Sequence, residues 1–179
     1  LGLADAPDDP AASVEASLAL SYAALPPAAQ SALGQLSVFP ASFDLEAAQA
    51  VLALGEIATE DTERTEGEGQ YEKSSPPSVS SVSSVAEETL DLLQRRSMLE
   101  WRTDAARYDL HDLVREFAAA RAPDAEAARL RHARHYAQVA RHADDAFLQG
   151  GEGVASGLAL FDRERAQTDA GWQWAGDCA

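Results

Sequence analysis

The side chains best equipped for chemistry are the four histidines, all between positions 111 and 142, and of these His111 has the most telling position. It lies in the run Arg107-Tyr108-Asp109-Leu110-His111-Asp112-Leu113-Val114-Arg115-Glu116-Phe117. Tyr108 and Leu110 alternate with Arg107 and Asp109 as in a strand, and Leu113, Phe117 and Ala120 then recur at helical spacing. A strand is expected to run straight into a helix, with His111 and Asp112 at the joint. Asp112 has a structural use there, accepting hydrogen bonds from the helix's first free amides. A histidine at such a corner can donate from its ring to an anion, although an exposed or packed ring is the default.

His132, His135 and His142 follow on one helical stretch at spacings that zinc sites use. Zinc needs three or four ligands and the single cysteine, Cys178, is remote, so no metal site is expected and the three read as part of a solvated face. Arg115, Arg121, Arg129, Arg131, Arg134 and Arg141 form the main cationic concentration, but Asp112, Glu116, Asp124 and Glu126 interleave with them, as on an ion-paired helix surface. No serine lies in a nucleophile elbow, and no phosphate-cradling Gly-x-x-x-x-Gly-Lys-Ser/Thr occurs. No catalytic residue is expected.

Fourteen Lys and Arg against thirty Asp and Glu leave a formal charge of -16, which repels phosphate backbones and argues against a nucleic-acid partner. No apolar run approaches the roughly 18 residues of a membrane span. One cysteine precludes an internal disulfide and suits a cytoplasmic setting. The chain starts without Met and is expected to be a piece of a longer protein.

The elements that must position His111 are mainly helical. Residues 1–12 read as a linker. Ser13 is expected to cap a helix with Val14, Leu18, Tyr22 and Leu25 inward, ended by Pro26-Pro27. A second helix over 27–36 turns Ala29, Leu33 and Leu36 inward, and Asp44 caps a third carrying Leu45, Ala48, Val51 and Leu52. The acidic, serine-rich stretch at about 56–83 cannot bury enough surface to order itself and reads as a mobile insert. Ser84 with Glu87 has the form of a capping box for a helix bearing Ala86, Leu90 and Leu93. Two short strands, 98–102 and 107–110, flank a hairpin loop at 103–106. After Pro123 and the cap Asp124, a helical stripe of Leu130, Ala133, Tyr136 or Ala137, Ala140, Ala143 and Phe147 leads to a glycine hinge at 150–157, then an amphipathic stretch from about 162 to 174. Helices, then a hairpin, then an exit helix is the order of a winged helix, over 13–122. A helical, repeat-like hairpin segment occupies 123–179.

Leu20-Ser21-Tyr22-Ala23-Ala24-Leu25, Leu36-Ser37-Val38-Phe39-Pro40 through Phe43-Asp44-Leu45-Glu46-Ala47-Ala48, Leu92-Leu93-Gln94-Arg95-Arg96-Ser97-Met98-Leu99 and Tyr108 through Ala118 occur in an order that resembles the winged-helix region of STAND signal-transducing ATPases. These are bacterial relatives of the plant NB-ARC proteins. Phe161-Asp162-Arg163-Glu164 and the tryptophan-bearing helix after it resemble the segment leading into tetratricopeptide-type sensor repeats. Leu110-His111-Asp112 is similar to that family's Met-His-Asp motif, with Leu in place of Met. The resemblance implies that His111 contacts the β-phosphate of ADP held by an upstream NTPase core, keeping the closed, inactive form, with ADP/ATP as the nucleotides of the full-length protein. It further implies a regulatory module, non-catalytic alone, whose partners are that core and downstream sensor repeats, with a homo-oligomer possible once activated. The chain by itself is expected to hold no nucleotide tightly. The alternative is a DNA-binding winged helix of a transcription regulator.

Overall fold

Two prolines set the first corner of the molecule. Pro26 ends the approach from the first helix, Pro10–Ala23 (α1), and Pro27 occupies the first turn of the second, Pro27–Leu36 (α2), where a missing amide costs nothing. Residues 10–52, 79–122 and 125–178 are described by the computed structural model.

Ala29, Ala32, Leu33 and Leu36 of α2 are all buried. Asp44 has extended backbone and accepts from the Ala47 amide at 2.9 Å, capping Leu45–Val51 (α3). Ala48, Val51 and Leu52 then face the core. Helix Val79–Arg95 (α4) contributes Ala86, Leu90 and Leu93, each fully buried. Strands Glu100–Arg102 (β1) and Arg107–Asp109 (β2) pair antiparallel with Trp101 opposite Tyr108. Ala106 takes a positive φ of 51° to close the loop between them. Phe43 and Tyr108 exchange both backbone hydrogen bonds, at 2.9 and 2.8 Å, so the segment before α3 lies against β2. Asp112–Ala119 (α5) leads away, and Ala125–Gln149 (α6) with Glu152–Asp177 (α7) forms a long antiparallel hairpin. Among the described residues the chain is therefore mainly helical, with one small two-stranded antiparallel sheet.

The core is continuous across the boundary expected at 122/123. Phe39 stacks on Phe43 at 4.1 Å between centroids, and Ala128 and Tyr136 of α6 join the same cluster as Leu33 and Leu90. The hairpin is thus packed into the first part of the fold.

Several expected boundaries are corrected. Helix α1 starts at Pro10, so Ser13 lies inside it and residues 10–12 are not linker; 1–9 fall outside the described residues. Helix α4 starts at Val79, five residues before Ser84. The expected insert is thus helical over 79–83, and its 56–78 portion lies outside the described residues, as do Pro123 and Asp124. In α6 the buried residues are Ala128, His132, Tyr136 and Ala143, whereas Leu130 and Phe147 are exposed. The buried face is rotated because α6 packs on α3 as well as on α7.

The glycines also divide. Gly150 and Gly151, with φ of 75° and 59°, make the turn, while Gly153 and Gly157 lie within α7 against α6. A Cβ on Gly157 would stand 2.5 Å from the Ala143 carbonyl oxygen, and backbone cannot give way as a side chain can. Gly157→Ala should therefore destabilise by about 1–2 kcal/mol despite alanine's better helix propensity. Gly176→Ala, where a Cβ meets nothing within 4 Å, should gain up to about 1 kcal/mol. Urea denaturation of the two variants checks the contrast.

Candidate functional site

The corner is built as a strand delivering its last residues onto a helix start. Leu110 is buried and anchors the turn, and His111 is exposed. The helix cap is His111, a correction to the role expected of Asp112: the ring Nδ1 accepts from the Leu113 amide at 3.3 Å. With Nδ1 an acceptor, the neutral ring carries its proton on Nε2, on the opposite side. Asp112 sits in the first turn and pairs with Arg115, whose Nη2 also donates to the Leu110 carbonyl at 2.7 Å.

A cleft of about 420 Å³ opens at this corner, lined by Ser42, Glu100, Arg102, Asp109, His111 and Arg115 among others. Its cations are largely committed. Arg102 lies 3.6 Å from Asp109 and Arg115 lies 3.9 Å from the same carboxylate. The mixture of signs makes it a poor anion trap alone, and His111 is the group there able to add a donor without adding permanent charge.

Behind the corner lies a buried polar network that the sequence did not announce. Arg107, the first residue of β2, reaches Glu164 of α7 through two parallel bonds, Nη1 to Oε1 at 2.6 Å and Nη2 to Oε2 at 2.8 Å. Only 7% and 4% of these side chains are exposed. Arg107 also donates to the Ser42 carbonyl at 2.6 Å and to its hydroxyl at 3.2 Å, and Arg163 Nε adds a bond to Glu164 at 2.9 Å. Burial works against the Arg107 charge, but the hydrogen bond and charge of Glu164 more than reverse it, so the guanidinium is held above its ordinary value. Burial first, and the nearby Glu164 charge second, keep the Tyr136 hydroxyl protonated well beyond its usual range.

Beside this pair, Gln167 Nε2 donates to the carbonyls of Ala41 and Ser42 at 2.9 and 3.0 Å. Its amide oxygen therefore faces His132, 2.9 Å from Nε2, and His132 must donate from that nitrogen. His132 is 3% exposed, so the solvated face expected for it is wrong: it is a core residue on the seam between α6 and α7. Arg131 is likewise no ion-paired surface group, since it donates to the Val51 carbonyl at 2.6 Å and to Gln35 at 3.0 Å, closing the C-terminus of α3. Arg121 covers the Phe117 ring at 3.6 Å. Among the described residues no group of three or more His, Cys, Asp or Glu is arranged to hold a metal, and no helix is long and apolar enough to cross a membrane.

The one sequence sign of this network was the i, i+3 pair Glu164 and Gln167, two polar residues facing the same way on a helix. Arg107 gave none, because an arginine at a strand edge reads as exposed. Comparison with protein-family models, curated proteins and solved structures finds no match.

Burial, and after it the neighbouring His135 charge, lowers the His132 pKa from 6.5, against an opposing hydrogen bond from Gln167. Above pH 6.5 the ring is neutral in both folded and unfolded chains; below it, the unfolded chain takes up the proton first. Stability should fall as pH drops below 6.5, by at most about 1.4 kcal/mol per pH unit from this one group. The stability difference between the unaltered chain and His132→Gln should shrink over that range and hold steady above it, as read by denaturant unfolding from pH 8 to 5.

Proposed function

We propose that this chain is the winged-helix regulatory module of a STAND-type signal-transducing ATPase, non-catalytic by itself. In this reading His111 helps hold ADP in the inactive state, and the α6–α7 hairpin begins the sensor region whose state is relayed to the NTPase core. The element order supports the winged-helix assignment: α2, the Phe43 bridge, α3, α4, then β1 and β2, with the bridge and β1 on opposite sides of β2.

The observation that carries the functional reading is the division of labour in one ring. Nδ1 of His111 is spent on capping α5, which commits the proton of the neutral form to Nε2 and leaves a donor at an exposed helix start. Aspartate would cap the same helix but would present a negative charge to a phosphate and offer no donor. Glu100, Asp109 and Asp112 around the corner oppose an anion, so the grip on the diphosphate belongs to the phosphate loop of the core, and His111 adds to it.

The test uses the polypeptide that joins the module to its nucleotide-binding core. His111→Asn keeps a good helix cap but loses the reach of the imidazole, whereas His111→Ala loses both. Both should speed ADP release by roughly ten- to a hundredfold, the range of one hydrogen bond to a charged group. Release unchanged in both variants would exclude the role.

The DNA-binding alternative is disfavoured by the helix that would enter the groove. The exposed positions of α4 include Glu87, Glu88 and Asp91, which would meet phosphates with like charge. Binding of this chain to duplex DNA should be undetectable at moderate salt in a fluorescence anisotropy titration.

A further inference from the structure

The Arg107–Glu164 pair joins two parts of the chain 57 residues apart, the wing strand and the second helix of the terminal hairpin. We propose that it is a clasp that makes the conformation of the His111 corner depend on whether α7 is seated. This coupling is a property of this chain alone; its use in controlling nucleotide release rests on the reading above.

The argument begins with what a guanidinium can tolerate. Arginine cannot shed its proton, so a buried one must keep its anionic partner or leave the interior. With α7 displaced, Arg107 retains two bonds to Ser42 and a carboxylate contact to Asp44 at 3.9 Å, and loses both forked bonds. Its route out is to move with its own backbone. That backbone is a strand of three residues, held on one side by β1 and on the other by the pair of bonds between Tyr108 and Phe43. His111 stands four positions further on, at the start of a helix whose cap is its own ring. The motion is therefore delivered to the corner. The core touches Arg107 through the Tyr136 hydroxyl of α6, whereas the apolar side chains of α2 and α4, such as Leu33, Leu90 and Leu93, have no polar atom with which to bond the pair and no reason to follow it.

Gln167 strengthens the same linkage from α7, since it holds the carbonyls of Ala41 and Ser42, the segment that also carries the Arg107 contacts. By contrast Arg165 and Asp169 form an exposed pair confined to α7, 3.7 Å apart with about two thirds of each side chain in solvent. It serves as the control.

The experiment is residue-resolved amide hydrogen exchange on the 179-residue chain. Glu164→Gln removes the charge at constant shape, and Arg107→Lys keeps the charge but loses the fork. Both should raise exchange by roughly tenfold or more from Tyr108 to Leu113 as well as in α7, leaving the amides of Leu33, Leu90 and Leu93 unchanged. Asp169→Asn should leave Tyr108 to Leu113 unaffected. The clasp is overturned if loosening stays within α7, if neither variant alters exchange, or if exchange rises uniformly through α2 and α4, which would make the pair a general staple of the fold. The expected exchange pattern combined with unaltered ADP release in His111 variants would leave the clasp standing and remove the nucleotide reading.

Discussion

A permanent positive charge enclosed by protein is the constraint to which the rest of the architecture answers. Arg107 is satisfied by a carboxylate from α7 and by Ser42 from the segment before α3, and each contributor has to be positioned for the other to be tolerable. Apolar packing of Phe39, Phe43, Leu33 and Leu90 gives the fold its gross stability without dictating a single arrangement of its parts. The forked pair does dictate one, because two planar groups can meet through parallel bonds in very few orientations. Buried ion pairs are weak sources of stability, and this one joins the terminal hairpin to β2.

The local elements were legible where one residue type has one use. Pro26-Pro27 marked the corner, Asp44 marked the start of α3, and the alternation of Tyr108 and Leu110 with Arg107 and Asp109 marked the second strand of the hairpin. Caps chosen by residue type were less secure: Ser13 and Ser84 look like helix starts but lie inside helices. At the candidate site the corner itself was visible in the change of period at Leu113, while the division between His111 and Asp112 was not, because histidine caps helices rarely. The network of Arg107, Glu164, Gln167 and His132 stayed hidden for a general reason. Charged and amide side chains read as surface unless a partner is known, and these partners come together only after the chain has folded back on itself.

His132 and His111 show how the same side chain takes opposite roles according to what surrounds it. In the seam between two helices the ring is neutral and its proton is spoken for by Gln167. At the corner the ring is in water, with one nitrogen engaged by the backbone. Position along the chain does not separate the two; the neighbours supplied by tertiary structure do.

The seam between α6 and α7 has a mechanical consequence. Gly157 and Gly171 let the helices approach until backbone touches backbone, and the turn at Gly150 and Gly151 is only two residues long, so the hairpin bends poorly and behaves as a rod. A helix of 26 residues spans about 39 Å, and Glu164 lies roughly 18 Å from its first residue. A rod pinned near its middle magnifies angle into distance, so a tilt of about ten degrees around Glu164 would carry the glycine tip through about 3 Å. Whatever pushes on that distant end gains leverage over β2.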